Sequence, residues 1–235
     1  NVFFTLFSIL PYLFMMVGFK FAWDSWQKQQ KLDELQGVIR DSELRFLKSQ
    51  INPHFLFNNL NNLYSYAIEN SSKTPSIILE LSSVLRYMLY DCKEDFVPLH
   101  KEIEHLQNFT ALNELQIEER GKIRFTKNSI SNKFVIAPLI LNVFIENAFK
   151  HSTASQSENI NIDIDVNVNS SGLLAFSCTN SFSTMSNNDN LSHGIGLDNV
   201  KKRLEILYPN NHKLTISTLN SVYDVSLTMQ LKEYI

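Results

Sequence analysis

Leu47-Lys-Ser-Gln-Ile-Asn-Pro-His-Phe-Leu-Phe-Asn-Asn-Leu-Asn-Asn-Leu63 decides how the chain is read. Wound at about 100° per residue, the segment separates into faces. His54, Asn58 and Asn61 share one face. Leu56, Leu60, Leu63 and Ala67 lie opposite, as a stripe ready for burial. Pro53 removes a backbone donor just before the histidine. A helix therefore either starts here with Asn52 as its cap or kinks here. A lone histidine on an amphipathic helix is ordinarily a surface residue, but the neighbours of His54 argue for chemistry.

A second dense segment is Pro138-Leu-Ile-Leu-Asn-Val-Phe-Ile-Glu-Asn-Ala-Phe-Lys-His151. On a helix, Leu141, Phe144, Ile145 and Ala148 form the face to be buried. Glu146 and Lys150 are i,i+4 neighbours, as are Asn147 and His151. Taken alone, Glu146–Lys150 reads as a surface ion pair. A carboxylate, an amide and two phosphate-binding side chains within six residues suit a Mg-nucleotide better. An amide oxygen is a hard neutral ligand for an octahedral Mg²⁺ shell.

Further on, His193-Gly-Ile-Gly-Leu-Asp-Asn-Val-Lys-Lys-Arg-Leu204 opens a helix after the polar, asparagine-rich run 181–192. That run has no apolar period and reads as a mobile loop. Glycines let backbone approach phosphates, and helix N-terminal amides favour anions. A lone G-x-G is weak evidence; its position downstream of Glu146 and Asn147 gives it weight.

Residues 47–61 resemble the signature of the LytS-like (His_kinase-type) sensor histidine kinases, roughly L-x-x-Q-I-x-P-H-F-L-F-N-x-L-N. Leu47, Gln50, Ile51, Pro53, His54, Phe55, Leu56, Phe57, Asn58, Leu60 and Asn61 all match. The resemblance implies that His54 accepts a phosphoryl group. Many histidine kinases carry an acid after the histidine, where this chain has Phe55; Asn58, one turn on, is the expected orienting group. Residues 138–151 resemble the N box of the GHKL ATPases. That resemblance assigns Asn147 to Mg²⁺, Glu146 to positioning or proton transfer, and Lys150 and His151 to the phosphates of ATP. The family pattern G-x-G-L-x-N-x-x-x-R-L is met by Gly194, Gly196, Leu197, Asn199, Arg203 and Leu204, with the preceding loop as an ATP lid. One departure stands out. Where such ATPases carry Asp-x-Gly-x-Gly, this chain has Thr179-Asn180-Ser181-Phe182. Asn180 can still accept from the adenine amine through its side-chain oxygen, as a weaker neutral acceptor.

The remaining chain fits around these motifs. Val2 to Phe19 is almost wholly apolar, and Trp23 and Trp26 sit where an interfacial belt belongs. Residues 1–23 are therefore expected to be a transmembrane helix, the last span of a longer sensor. Lys20, Lys28 and Lys31 put the downstream side in the cytoplasm of a bacterium, beneath its inner membrane. The chain opens at Asn1 rather than Met, which reads as a fragment or processed product. Leu32, Leu35 and Ile39 predict a signalling coiled coil over 24–50. Helices follow at 51–69, from Ser76 to about Asp91, and from His100 to Glu118, forming a dimerisation and phosphotransfer domain over 51–120. The apolar strip on that hairpin calls for a homodimer. His100 and His105 read as solvated helix residues. The ATP-binding domain covers 121–235. It has strands at 159–169, 173–179, 213–218 and 222–231, and Asp163 and Asp165 on a solvated face.

The expected fold is thus α+β: a transmembrane helix and coiled coil, a dimeric helical hairpin, then an α/β-sandwich GHKL (Bergerat) domain. A net charge of -3 gives no reason to expect nucleic acid as a direct ligand. Cys92 and Cys178 lack metal-site spacing and read as reduced thiols. The family resemblance implies ATP-dependent phosphorylation of His54 and transfer to an aspartate of a separate response regulator. The alternative is a dimeric signalling scaffold with altered nucleotide binding.

Overall fold

The computed structural model describes residues 12, 14–36, 53–128, 133–183 and 195–233. The chain forms two compact units, Asn1–Asn52 and Pro53–Ile235.

In the first unit, α1 (residues 14–36) is a single helix. The expected transmembrane helix is corrected: among the described residues, no helix is long and apolar enough to cross a membrane. The reason is visible in the sequence of α1. A span needs about 20 apolar residues, whereas Lys20, Asp24 and Lys28 interrupt this helix at its seventh, eleventh and fifteenth residues. Residues 1–11, on which much of that reading rested, lie outside the described residues. The inner-membrane location and the membrane as a partner, which depended on the span, fall with it. The coiled-coil reading is corrected too. Within the described residues the heptad rests on Leu32 and Leu35 alone, 53% and 48% exposed, and Ile39 lies outside the described residues.

The second unit begins with α2 (Pro53–Ile68), with proline at its first position, where the missing N–H costs nothing. α3 (Thr74–Tyr90) and α4 (Leu99–Ile117) complete the helical part. The buried edge of α2 is Phe55 and Asn59, with Leu56, Leu63 and Tyr66 partly covered. Leu60, expected to be buried, is 43% exposed. Phe55 stacks on Phe109 of α4 at 4.8 Å between ring centroids. Asn59 tolerates burial because its amide donates to the Phe55 carbonyl at 2.9 Å.

Strands β1 (Val97–Pro98), β3 (Phe134–Ile136) and β8 (Lys232–Glu233) form a small antiparallel sheet, ordered β1-β3-β8. The main sheet is ordered β2-β4-β5-β7-β6, from β2 (Gly121–Lys127), β4 (Ile160–Val168), β5 (Leu173–Ser181), β6 (His212–Leu219) and β7 (Val222–Gln230). β2 runs parallel to β4; the other pairs are antiparallel. Period-2 alternation explains β4: Ile160, Ile162, Ile164, Val166 and Val168 are all buried. Each such side chain contributes about 1.5–3 kcal/mol relative to exposure. The opposite face is polar, with Asp163 accepting from Arg124 at 2.7 Å and Asp165 from Thr126 at 2.8 Å. Asn220 and Ser221, both at positive φ, make the two-residue turn between β6 and β7.

Helices α5 (Asn142–Ser155) and α6 (Ile195–Leu207) complete the second unit. Leu141, Phe144, Ile145 and Ala148 are buried, as the helical period requires. The Phe144 ring meets Phe176 of β5 at 5.9 Å.

Candidate functional site

α5 is the element on which the expected nucleotide residues converge. Its buried stripe fixes its rotation, which leaves Glu146, Asn147 and His151 half-buried and Lys150 exposed. The His151 imidazole is held below its ordinary range, first by burial and then by the Lys150 charge. Its ring lies 6.5 Å from that of Tyr223 on β7.

β5 brings Asn180 beside this helix. Asn180 is 1% exposed. Its orientation follows from the network around it. The Ser152 hydroxyl donates to the Ser181 carbonyl at 2.7 Å, so it can only accept from Asn180, whose Nδ2 lies at 3.0 Å. The same Nδ2 donates to the Ser181 carbonyl at 3.1 Å. Both donors face protein, and Asn180 Oδ1 has no hydrogen-bond partner among the described residues. An orphaned, buried acceptor at this position fits the amino group of a purine. Ser152, which fixes the amide, carries no sequence signal of its own.

α6 also packs against α5. Gly196 is exposed, and a Cβ there would meet Val143 of α5 at an ordinary 3.5 Å. Leu197 packs against the core, whereas Asn199 is exposed. Arg203 donates through Nη2 to the Pro138 carbonyl at 3.0 Å. Gly194 and the expected lid from residue 184 lie outside the described residues. Among the described residues, no group of three or more His, Cys, Asp or Glu side chains could hold a metal ion.

His54 lies in the first turn of α2. Asn58, Asn61 and Asn62 follow along that helix and line an open recess of about 470 Å³. Its other walls are Leu115 and Gln116 of α4, Arg120, and Thr153 of α5. Arg120 Nε donates to the Ile117 carbonyl at 3.2 Å, and Nη2 donates to that of Gln116. Thr153 follows Glu146 and Lys150 at i+7 and i+3, on one helical face. The recess thus lies between Asn58, Asn61 and Asn62 of α2 and Thr153 near the C-terminal end of α5.

Two buried polar residues escape a sequence reading. Glu102 of α4 is fully buried, and His105, expected in solvent, is 2% exposed. The Tyr87 hydroxyl donates to Glu102 Oε2. Burial pushes the Glu102 carboxyl up to about 7, against opposing pulls from Tyr87, the Leu139 amide and Arg203. The His105 ring stacks on Tyr87 at 4.4 Å, and burial pushes its imidazole down to about 4. Acid and imidazole on α4 read as a wet face by type alone; only the packing of α3 and the 137–139 turn covers them. Cys92 and Cys178 are buried free thiols.

Residues 42–121 match the histidine kinase family. Sensor protein LytS of Bacillus subtilis (strain 168) is 33% identical over 120 residues, covering 51% of this chain and 20% of that protein. Sensor histidine kinase/phosphatase LytS of Staphylococcus aureus (strain MRSA252) is 27% identical over 121 residues, covering 52% of this chain and 21% of that protein. Sensor protein LytS of Staphylococcus saprophyticus is 24% identical over 202 residues, covering 82% and 34%. The chain thus spans a fifth to a third of the length of these curated relatives. Among solved structures, the histidine kinase domain of the Erythrobacter litoralis EL346 blue-light activated histidine kinase is similar at 13% identity and a TM-score of 0.46. That similarity covers 80% of this chain and 93% of that one.

Proposed function

The chain is a relative of the LytS-type sensor histidine kinases at low-to-moderate identity, and from that premise we propose that it phosphorylates His54 from Mg-ATP. The observation that carries the reading is the recess, which brings the His54 helix and the end of α5 to one polar depression. Asn180 would accept from adenine, Lys150 and His151 would hold phosphates, and Asn147 would complete the Mg²⁺ shell. Bound Mg²⁺ would supply charge neutralisation for the β- and γ-phosphates. Glu146 would position the nucleotide or relay a proton from α5. A ring nitrogen of His54 forms the N–P bond as the bond from the γ-phosphorus to the leaving ADP oxygen breaks. Asn58, one turn along, is assigned to orienting the imidazole.

The phosphoryl group would then pass to an aspartate on a separate response regulator. A second copy of this chain is the expected partner of α2, where Phe57, Leu60, Tyr64 and Ile68 form an exposed apolar stripe. The Asn180 acceptor, without a partner among the described residues, favours this reading over a scaffold that binds no nucleotide.

The test is chemical. Phosphate incorporated by the chain from ATP should be acid-labile and base-stable, as a phosphoramidate is, and absent from His54→Ala. Phosphate that survives acid would point to another acceptor and overturn the assignment.

A further inference from the structure

The backbone of Ala137-Pro138-Leu139, which leads into α5, is held by three side chains from distant parts of the fold. The Ala137 amide donates to the Tyr208 hydroxyl at 2.9 Å. The Pro138 carbonyl accepts from Arg203 of α6 at 3.0 Å. The Leu139 amide donates to Glu102 Oε2 of α4 at 3.1 Å. Leu139 itself sits at φ 60, in the left-handed region. A leucine keeps that conformation only where its surroundings over-determine it.

Glu102 Oε2 also accepts the Tyr87 hydroxyl of α3, so one buried carboxyl oxygen joins a side chain of α3 to the backbone that leads into α5. α3 packs against α2 and α4, the helices that carry His54 and line the recess. The Leu139 turn sets where α5 begins. We propose that Glu102 is a positioning residue: it links the histidine hairpin, through Tyr87, to the start of the nucleotide-facing helix α5, through Leu139. What the link serves rests on the kinase reading above; the link itself does not. A shift of α3 that moves the Tyr87 hydroxyl takes one of the two donors from Glu102 Oε2 and so loosens the carboxyl that holds the Leu139 amide, while Tyr208 and Arg203 still hold Ala137 and Pro138.

Hydrogen exchange on the full chain tests the link. Tyr87→Phe keeps the ring stacked on His105 and removes only the hydroxyl. Amides over 139–143 should then exchange about ten-fold faster, the scale of one lost hydrogen bond, while strands β4, β5 and β7 exchange as in the parent. Glu102→Leu should show the same local loss. Glu102→Gln, whose amide oxygen still accepts, should return to within about two-fold of the parent. In a second arm, affinity for Mg²⁺ with a non-hydrolysable ATP analogue should fall about ten-fold in Glu102→Leu and recover in Glu102→Gln. Unchanged exchange over 139–143 in Tyr87→Phe, or a change shared equally by the sheet, overturns the proposal. A parent that binds no nucleotide removes the kinase reading instead, and the exchange arm then decides the link alone.

Discussion

Asn180 shows how one atom's partner sets what a residue can do. Its amide donors are spent on Ser152 and the Ser181 carbonyl, which leaves Oδ1 as an acceptor with no partner among the described residues. The same geometry explains why asparagine suits this chain where its resemblance leads one to expect aspartate. A carboxylate here would set an oxygen against the Ser181 carbonyl in a site 1% exposed. We expect Asn180→Asp to lower stability by about 1–3 kcal/mol at neutral pH, read from the denaturant midpoint. An unchanged midpoint would show that Ser181 does not dictate the donor. The sequence made Asn180 legible as a candidate, but which of its two side-chain ends is free depends on Ser152, 28 residues away.

Glu102 and His105 make opposing, pH-dependent contributions. Glu102 stands at about 7 in the fold against 4.5, so the folded chain holds a proton that the unfolded chain has lost. Its contribution therefore falls as pH rises through 4.5–7. His105 stands at about 4 against 6.5, so the unfolded chain holds the extra proton, and stability rises through pH 4–6.5. Each window amounts to about 3 kcal/mol. The parent's unfolding free energy should therefore be nearly level between pH 4.5 and 6.5, whereas Glu102→Gln should climb by about 3 kcal/mol. A parent that climbs as steeply as the variant would contradict this account of the buried pair.

At the scale of elements, α2 explains where a sequence reading loses precision. Its polar face was legible, because His54, Asn58 and Asn61 share one side. It carries two apolar edges, however, and amphipathic period alone cannot say which one the chain itself covers. The edge at Phe55 and Leu63 packs on α3 and α4, while Phe57, Leu60, Tyr64 and Ile68 remain exposed. If that second edge meets another copy, Tyr64→Glu should shift the chain towards monomer in sedimentation, with its helical content kept. A parent that is already monomeric would contradict the assignment of the stripe. Strand β4 was legible from five alternating branched residues. β2 was not, since Lys122-Ile-Arg-Phe-Thr-Lys127 offers only two apolar side chains, both partly exposed at the sheet edge. β1, β3 and β8 escaped because two- and three-residue strands exist only through pairings with distant chain. The N-terminal membrane span was over-read from apolar composition: the described helix carries charges too early for one.

Across the whole second unit, the arrangement follows one logic. The sheet buries one face of α5, β5 and α6 flank that helix, and α2 and α4 close a recess against its C-terminal end. On the proposed reading, the side chains assigned to a nucleotide and the histidine assigned as acceptor are thereby carried on elements gathered around that recess. Removing either half should abolish the same product for different reasons. The measurement that tests this most directly is phosphate incorporation by the full chain from γ-labelled Mg-ATP, beside His54→Ala and Asn147→Ala. The account predicts labelled parent and no label in either variant, with His54→Ala still binding nucleotide and Asn147→Ala still folded. Label retained in His54→Ala, or a folded parent that neither binds nucleotide nor takes up label, would contradict it.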